Sequence, residues 1–319
     1  MIGNDVWQAA AFLRRGKLVA IPTETVYGLA GNALDGSAVA SIFETKGRPS
    51  FNPLIVHVAG IDEISKYVKE LDDRLWHLAQ KFMPGPMTLL LPKKDIIPDI
   101  VTAGSDRVAI RVPDHPLTHE LLSQLEFPLA APSANPFGYI SPTTAFHVAQ
   151  QLGEKIAYIL DGGPCKVGLE STIAGIENDK LIIYRKGGLA IEDIEHEAGE
   201  VTVREHSSSS PEAPGMLSAH YAPGKPLVLG KLAELVTLNK GKKTAIISFR
   251  EPEGLEADFI KVLSQGGDLK EAAQKLFGVL RECDELPVDI ILAEWLPEQG
   301  LGRAMNDRLR RAAVGSANV

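Results

Sequence analysis

Short runs of β-branched and apolar residues recur along the N-terminal part of the chain, and they predict strands. The predicted strands are 18–22, 54–58, 88–92, 107–112, 127–131, 157–160, 171–176 and 181–184. Amphipathic patterns with helical spacing fall between several of these runs, while other runs follow one another directly. Strands outnumber helices here, which favours a mixed sheet over a purely parallel one.

Cap residues mark where the intervening helices begin and end. The first is expected to start at Asn4 or Asp5 and to stop at Gly16. Two more are predicted from Asp35 or Ser37 through Phe43 and over 72–82. A further helix is expected to open with Ser141 as its cap and Pro142 as its first residue, and to end at Gly153.

A composition break separates this region from the C-terminal part. Residues 205–215 read EHSSSSPEAPG, and four serines followed by proline and glycine are typical of a linker. We therefore predict a first domain over 1–206, a linker over 207–224 and a second domain over 225–319. The second domain alternates strand and helix patterns, which indicates a smaller, Rossmann-like three-layer α/β domain.

Composition narrows the class of protein. The 319 residues are 45% hydrophobic and 23% charged, which is typical of globular domains. A net charge of −8 argues against a general nucleic-acid coat protein. The N-terminus does not resemble a signal peptide, and no apolar run is long enough to span a membrane, so we expect a cytoplasmic protein. Two cysteines, Cys165 and Cys283, are too few for a disulfide framework or a thiolate zinc site.

Polar clusters follow several predicted strands, which is where α/β proteins place their sites. They are PTETVYGLAG from 22, ETKGRPSFNPL with Lys46, Arg48 and Asn52, APSANPFGYISP with Ser133, Asn135 and Ser141, and DGGPCKVGLESTI with Ser171. Each cluster alone would be read as a turn. A Lys and an Arg beside glycine, together with Arg107 and Arg111 on one strand face, instead indicate an anion site that suits a nucleotide.

Other patterns carry less weight. The chain has no GxxxxGK[ST] sequence, so a Walker-type ATPase is excluded. GLGRAM at 300–305 lacks the third glycine of a dinucleotide fingerprint and is read as helix entry. His115 and His119 have metal-like spacing but lie in a proline-bracketed helix entry, and Cys165 is read as a small turn residue.

The motifs in their order resemble a known family. PTETVYGL, KGRP followed by NPL and His57, RVP after Arg107, PSAN, GLESTI and YRKG around Arg185 are similar to the YrdC-like domain of threonylcarbamoyl-AMP synthases. The pairs Lys46/Arg48 and Ser133/Asn135 match the family's K-x-R and S-x-N signature. APGMLSAHYAP and the C-terminal part resemble the longer, two-domain form. One departure is Ser218, where some members carry an aromatic residue.

The resemblance implies a nucleotidyltransferase with a YrdC-like twisted mixed sheet. It would form threonylcarbamoyl-AMP and pyrophosphate from L-threonine, bicarbonate or CO2, and ATP. The implied threonine-binding residues are Thr25, His57, Arg111, Ala131 and Ser171. The implied ATP-binding residues are Lys46, Arg48, Asn52, Arg107, Ser133, Asn135, Ser141, Arg185 and Tyr221, with Lys46 and Arg48 also assigned to catalysis.

The resemblance further implies that the product passes to the machinery that makes N6-threonylcarbamoyladenosine at position 37 of tRNA. Direct tRNA contact is compatible with this but not required. Mg²⁺ is expected with ATP, held by phosphate and water, because no carboxylate cluster stands out. Three alternatives remain to be distinguished: an RNA-binding module, a carbamoyl-transfer protein of hydrogenase maturation, and a non-catalytic paralogue.

Overall fold

The computed structural model describes residues 1–204, 213–217 and 220–316. Over these residues the protein forms two α/β units, one around an 11-stranded mixed sheet and one around a 4-stranded parallel sheet. The predicted fold class is therefore confirmed. The domain boundaries at 206 and 224 stay predictions, because residues 205–212 lie outside the described part of the chain.

The first sheet contains the strands predicted from the apolar runs, together with a short strand at each edge and one further strand inside it. The strands are β1 (Ile2–Gly3), β2 (Val19–Ile21), β3 (Gly28–Asn32), β4 (Ile55–His57), β5 (Met87–Pro92), β6 (Arg107–Arg111), β7 (Leu129–Ala130), β8 (Tyr158–Leu160), β9 (Thr172–Glu177), β10 (Lys180–Arg185) and β11 (Thr202–Val203). Their order in the sheet is β1-β8-β2-β3-β7-β4-β6-β5-β9-β10-β11. Strand β4 runs parallel to β6 and antiparallel to β7, so the sheet is mixed as predicted.

Helices cover this sheet, and three of the expected caps are present. The helices are α1 (Val6–Arg14), α2 (Gly36–Lys46), α3 (Asp73–Phe82), α4 (Asp99–Thr102), α5 (Pro116–Gln124), α6 (Ala145–Leu152) and α7 (Ile191–Ala198), with a 3-10 helix over Ile61–Lys66. The side chains of Asp5, Asp35 and Asp72 accept hydrogen bonds from the first turns of α1, α2 and α3. These caps satisfy backbone N–H groups that have no partner within the helix.

The predicted start of α6 is wrong. The helix begins at Ala145, and Thr144 is its cap, with its side chain accepting from the His147 N–H. The local Ser-Pro signal at 141–142 was overridden by a distant partner, because the Ser141 hydroxyl donates to the Glu170 carboxylate at 2.6 Å. Strand β3 was missed for a different reason: its sequence, GLAGN, has neither β-branched residues nor alternation.

The second unit is a parallel sheet with helices. Its strands are β12 (Leu227–Gly230), β13 (Thr244–Ser248), β14 (Phe259–Val262) and β15 (Ile290–Glu294), in the order β12-β15-β13-β14. Its helices are α8 (Leu232–Leu238), α9 (Leu269–Glu285) and α10 (Leu301–Ser316). Helix α10 begins within GLGRAM, which confirms that this segment is a helix entry.

The two units pack directly on each other. From α9, Arg281 donates to the Ile140 carbonyl, and Gln274 donates to the Cys165 carbonyl at 3.3 Å. The Tyr221 ring stacks on Phe277 of α9 with 5.5 Å between ring centroids. Cys165 and Cys283 are both free and buried. Across the described ranges, no helix combines the length and apolar character needed to cross a membrane.

Candidate functional site

A cavity lies between the first sheet and the described segments that lead to the second unit. The predicted site residues that line it are Thr25, Arg48, His57, Arg111, Ala131, Ser133, Ser171, Arg185 and Tyr221. The predicted residues that do not line it are Lys46, Asn52, Arg107, Asn135 and Ser141.

One end of the cavity is built around Arg111. The register of β4 and β6 pairs His57 with Arg111, which places the two side chains next to each other at the ends of their strands. Arg111 donates to the Thr25 hydroxyl at 2.8 Å and to the Gly85 carbonyl at 3.2 Å. A buried ion pair with Glu24, at 2.6 Å, holds the remaining terminal nitrogen. The guanidinium is therefore fixed before any ligand binds.

Ser171 occupies the wall between this end and the rest of the cavity. Its hydroxyl lies 2.7 Å from the Thr88 hydroxyl and accepts from the Arg185 Nη2 at 2.9 Å. Arg185 also donates through Nε to the Ser171 carbonyl at 3.0 Å. Because Arg185 donates, the Ser171 hydroxyl proton is available for Thr88 or a ligand.

The other end carries buried positive charge. Arg48 lies directly after α2, where Gly47 adopts the left-handed conformation that ends the helix. Burial, and then the charge of Arg185, lowers the pKa of Arg48 to about 9. Burial is also the main cause that lowers the pKa of Arg185 to about 10. Buried cations that repel each other across a cavity are stabilised by an anion between them.

Lys46 stands behind this wall and anchors the PSAN loop. Its Nζ donates to the Ser133 carbonyl at 2.6 Å and to the Asn135 carbonyl. Asn135 in turn donates through Nδ2 to the carbonyls of Pro136 and Tyr139, at 2.7 and 2.8 Å. The K-x-R and S-x-N motifs are thus physically joined, although neither Lys46 nor Asn135 reaches the cavity wall.

Asn52 is fully buried beside Arg48, and both polar atoms of its side chain have no hydrogen-bond partner among the described residues. Its backbone carbonyl accepts from the Arg48 Nε at 3.1 Å. An unpartnered buried amide costs free energy. Asn52 does not line the cavity, so it is connected to the site through its backbone carbonyl and Arg48.

The structure does not bring Arg107 to the cavity. Arg107 donates to the Tyr184 hydroxyl at 2.8 Å and to the Ile176 carbonyl at 3.2 Å, and it lines a separate cleft. Alternation correctly predicted that Arg107 and Arg111 share a face of β6. Four residues of strand nevertheless separate their backbones by roughly 13 Å, so one small site does not include both.

Described residues between the two units line the cavity. Pro214, Gly215, His220 and Tyr221 line it, and the Pro214 carbonyl accepts from the Arg185 Nη1 at 3.2 Å. Gly215 has φ +80, and a Cβ atom there would lie 3.0 Å from the Arg185 Cδ, so glycine is required where the segment crosses Arg185. The described part of the predicted linker is therefore buried structure. Ser218, the departure from the family pattern, lies outside the described residues.

Comparison with known proteins identifies the family. A family model described as "Telomere recombination" (Sua5/YciO/YrdC) matches residues 11–187, and one described as "Threonylcarbamoyl-AMP synthase, C-terminal domain" matches 189–314. The chain belongs to the threonylcarbamoyl-AMP synthase family. The Pyrococcus abyssi threonylcarbamoyl-AMP synthase is 42% identical over 96% of this chain and 93% of its own length. The Bacillus subtilis enzyme of that name is also 42% identical, over 98% and 94%.

A solved structure of the same family agrees with the fold throughout. The crystal structure of P. abyssi Sua5 complexed with L-threonine matches with a TM-score of 0.93 and 40% identity. It covers 99% of this chain and 98% of that chain. The similarity to threonylcarbamoyl-AMP synthases therefore includes both α/β units.

Sequence reasoning missed several buried polar residues around the cavity. Glu24 follows β2 in PTETV and pairs with Arg111, while Thr88 on β5 contacts Ser171. Glu170 in GLEST lines the cavity and pairs with Arg308 of α10 at 2.9 Å. The acidic residues stood within motifs quoted for the family resemblance. Their partners are far away in sequence, so only the fold reveals the pairs.

Metal ligands do not gather in this site. Across the described ranges, no group of three or more His, Cys, Asp or Glu side chains is placed to hold a metal ion. Glu24 and Glu170 are each engaged by an arginine.

His57 makes the stability of the protein depend on pH. Burial, and then the charge of Arg111, lowers the pKa of His57 to about 3. In the unfolded chain, His57 binds a proton near pH 6.5. The stability contributed by the neutral, buried ring is therefore fully present above pH 6.5 and is lost as pH falls from 6.5 toward 3.

The free energy of unfolding of the unmodified protein should decrease as pH falls from 7.5 to 5.5. We expect this decrease to be smaller in His57→Gln by about 1 kcal/mol. Urea titrations at the two pH values measure this difference. His119→Gln, which changes an exposed histidine, serves as the control and should retain the original slope. Equal slopes for His57→Gln and the unmodified protein would contradict a neutral, buried His57.

Proposed function

We propose that this protein synthesises L-threonylcarbamoyladenylate and pyrophosphate from L-threonine, bicarbonate or CO2, and ATP. The observation that carries the proposal is a cavity whose described lining residues include three arginines, Arg48, Arg111 and Arg185, but one carboxylate, Glu170. Such a cavity needs anions, and the reaction supplies two of them: an amino-acid carboxylate and a triphosphate. The names of the relatives and the L-threonine in the Sua5 crystal structure support the choice of substrates.

The Arg111 end is the proposed threonine site. Arg111 would bind the threonine carboxylate through its fork of N–H groups, since its orientation is already fixed by Glu24 and Thr25. His57 donates through Nδ1 to the Ile55 carbonyl, which leaves Nε2 of a neutral ring as an acceptor for a substrate hydroxyl or amine. Ser171 would supply a further polar contact and Ala131 a close backbone contact.

The Arg48 end is the proposed ATP site. Arg48, Ser133, Arg185 and Tyr221 line it and would contact the nucleotide. A second set of residues stands behind that wall and would support it: Lys46, Asn52, Asn135 and Ser141. Arg107 is left out of this proposal because its side chain lies in another cleft.

The chemistry requires positioning more than a protein nucleophile. The threonine amine attacks CO2 and loses a proton, which forms a carbamate. A carbamate oxygen then attacks the α-phosphorus of ATP, and the bond to the pyrophosphate oxygen breaks. Cations at both ends of the cavity hold the two negatively charged reactants near each other and stabilise the charge on the phosphoryl group.

Described residues of the interdomain segment would help to keep water away from the reactants. Tyr221 is buried between Phe277 and the guanidinium groups of Arg308 and Arg311, at 5.1 and 4.7 Å from its ring centroid. The interdomain segment is therefore a candidate lid over a carbamate that water would otherwise decompose. We further propose that Mg²⁺ accompanies ATP, bound through phosphate and water, and would neutralise part of the triphosphate charge.

The product would serve tRNA modification. We propose that threonylcarbamoyl-AMP passes in the cytoplasm to the proteins that form N6-threonylcarbamoyladenosine at position 37 of tRNA. Direct detection of the adenylate tests the reaction: mass spectrometry of a mixture with Mg-ATP, bicarbonate and L-threonine should reveal it. A mixture that contains only AMP, with or without threonine, would contradict the proposal.

A further inference from the structure

A fully buried arginine of the second unit reaches the wall of the cavity. Arg308 lies on α10 and is 0% exposed. Its Nε donates to Glu170 Oε2 at 2.9 Å, and its Nη2 donates to the Lys186 carbonyl at 2.9 Å. Its Nη1 is held by the neighbouring Asp307 at 2.7 Å. Two of the three contacts cross from the second unit to the first.

Glu170 connects Arg308 to the cavity. It is 7% exposed and lines the cavity, and its other carboxylate oxygen accepts from the Ser141 hydroxyl at 2.6 Å. An ionised carboxylate only accepts hydrogen bonds, so the Ser141 proton must point at it. Ser141 is 0% exposed and stands behind the wall, so this hydrogen bond fixes the orientation of the Glu170 carboxylate from the side opposite Arg308.

The charge of Glu170 depends on its arginine neighbours. Burial raises the pKa of Glu170, but the charges of Arg308 on α10 and Arg185 on β10 outweigh it, and the pKa lies below its ordinary value. The Ser141 hydroxyl bond acts in the same direction. Without Arg308, only Arg185 and Ser141 would oppose burial, so the carboxyl would take up a proton at a higher pH.

We propose that Arg308 is a positioning residue of the active site, which holds the Glu170 carboxylate in place on the wall of the cavity that binds ATP. The second unit is then a part of the catalytic centre and not an independent module. The proposal rests on the proposed function for the meaning of the cavity, but its test also has a binding readout.

Arg308→Met removes the charge and keeps an apolar chain of similar length against Tyr221. We expect kcat/KM for ATP to fall on the order of tenfold or more, as it does when a residue that orients a ligand group is lost. The unmodified enzyme should show no Glu170-dependent change between pH 6 and 9, whereas Arg308→Met should lose further activity as pH falls. Arg310→Met, an exposed arginine on the same helix, is the matched control and should behave like the unmodified enzyme.

A double-mutant cycle decides whether Arg308 acts through Glu170. If it does, the double variant Glu170→Gln/Arg308→Met is as active as Glu170→Gln alone, and the extra pH dependence of Arg308→Met is absent. If the two substitutions instead lower kcat/KM by factors that multiply in the double variant, the proposal is overturned. A folded Arg308→Met with unchanged kcat/KM and pH profile would also overturn it. If Arg308→Met alone does not fold, the comparison of the double variant with Glu170→Gln still decides, because removing both members of a buried pair is less disruptive than removing one.

The same cycle can be measured by calorimetric binding of a non-hydrolysable ATP analogue. A protein that binds the analogue with the predicted coupling but does not use threonine would contradict the proposed function and leave the role of Arg308 intact. A protein that turns over threonine with no coupling between the two residues would contradict only the role of Arg308.

Discussion

Replacing Arg111 by methionine is expected to lower kcat/KM for L-threonine by roughly 10²- to 10³-fold, because the substrate carboxylate would lose the buried cation proposed to bind it. Arg111 is buried, and its guanidinium is held by Glu24, Thr25 and Gly85. Methionine would leave the buried Glu24 carboxylate without its cation, with the Asp114 N–H still donating to it at 3.1 Å, and the threonine carboxylate would lose the same cation. Initial rates over a range of threonine concentrations measure the effect.

Arg107→Met is the comparison for this experiment, because Arg107 lies on the same face of the same strand but outside the cavity. We expect its rates to stay within about threefold of the unmodified enzyme, a difference of less than 1 kcal/mol. If Arg107→Met loses as much activity as Arg111→Met, the site extends along β6 and the cavity boundary is wrong. Thermal unfolding of both variants separates loss of fold from loss of binding.

The second large effect is expected at Arg48. Arg48→Met should lower kcat/KM for ATP by roughly 10²-fold or more, because a desolvated cation beside a phosphate contributes several kcal/mol in this setting. Arg48 also donates to the Asn52 and Pro53 carbonyls, at 3.1 and 2.8 Å, and methionine would leave these carbonyls without that donor. Rate measurements at varied ATP test the expected loss of activity, and urea unfolding of the ligand-free protein shows whether the variant keeps its fold.

Lys46→Met provides the contrast. Lys46 anchors the Ser133 and Asn135 carbonyls and does not line the cavity. Its loss should therefore lower both stability and activity, because the PSAN loop loses its tether. A variant that keeps full stability while losing turnover would place Lys46 in direct contact with substrate, as the family resemblance implies.

Local patterns predicted most of the first sheet, because a strand of β-branched residues carries its own signal. Strand β3 was missed since GLAGN has no such signal, and its place is set by pairing with β2 and β7. The start of α6 was wrong because Ser141 has a stronger partner in Glu170 than in the next helical turn. A distant contact that satisfies a polar atom can outweigh the local propensity of the same residue.

The residues of the candidate site could also be predicted in part from the sequence. Motif order brought together most of the residues that line the cavity, including Arg48, His57 and Arg111. Alternation along β6 fixed the face of Arg107 but not its distance from Arg111. The pair of Glu170 and Arg308 could not be predicted, because their contact depends on how two separately folded sheets pack together.

Pyrophosphate release tests the central claim most directly. Purified protein with Mg-ATP and bicarbonate should release pyrophosphate only when L-threonine is added, and L-serine should be a much poorer substrate. A matched reaction with Arg111→Met controls for contaminating ATPases. Equal release with L-threonine, with L-serine and with no amino acid would contradict the assignment of this cavity to threonylcarbamoyl-AMP synthesis.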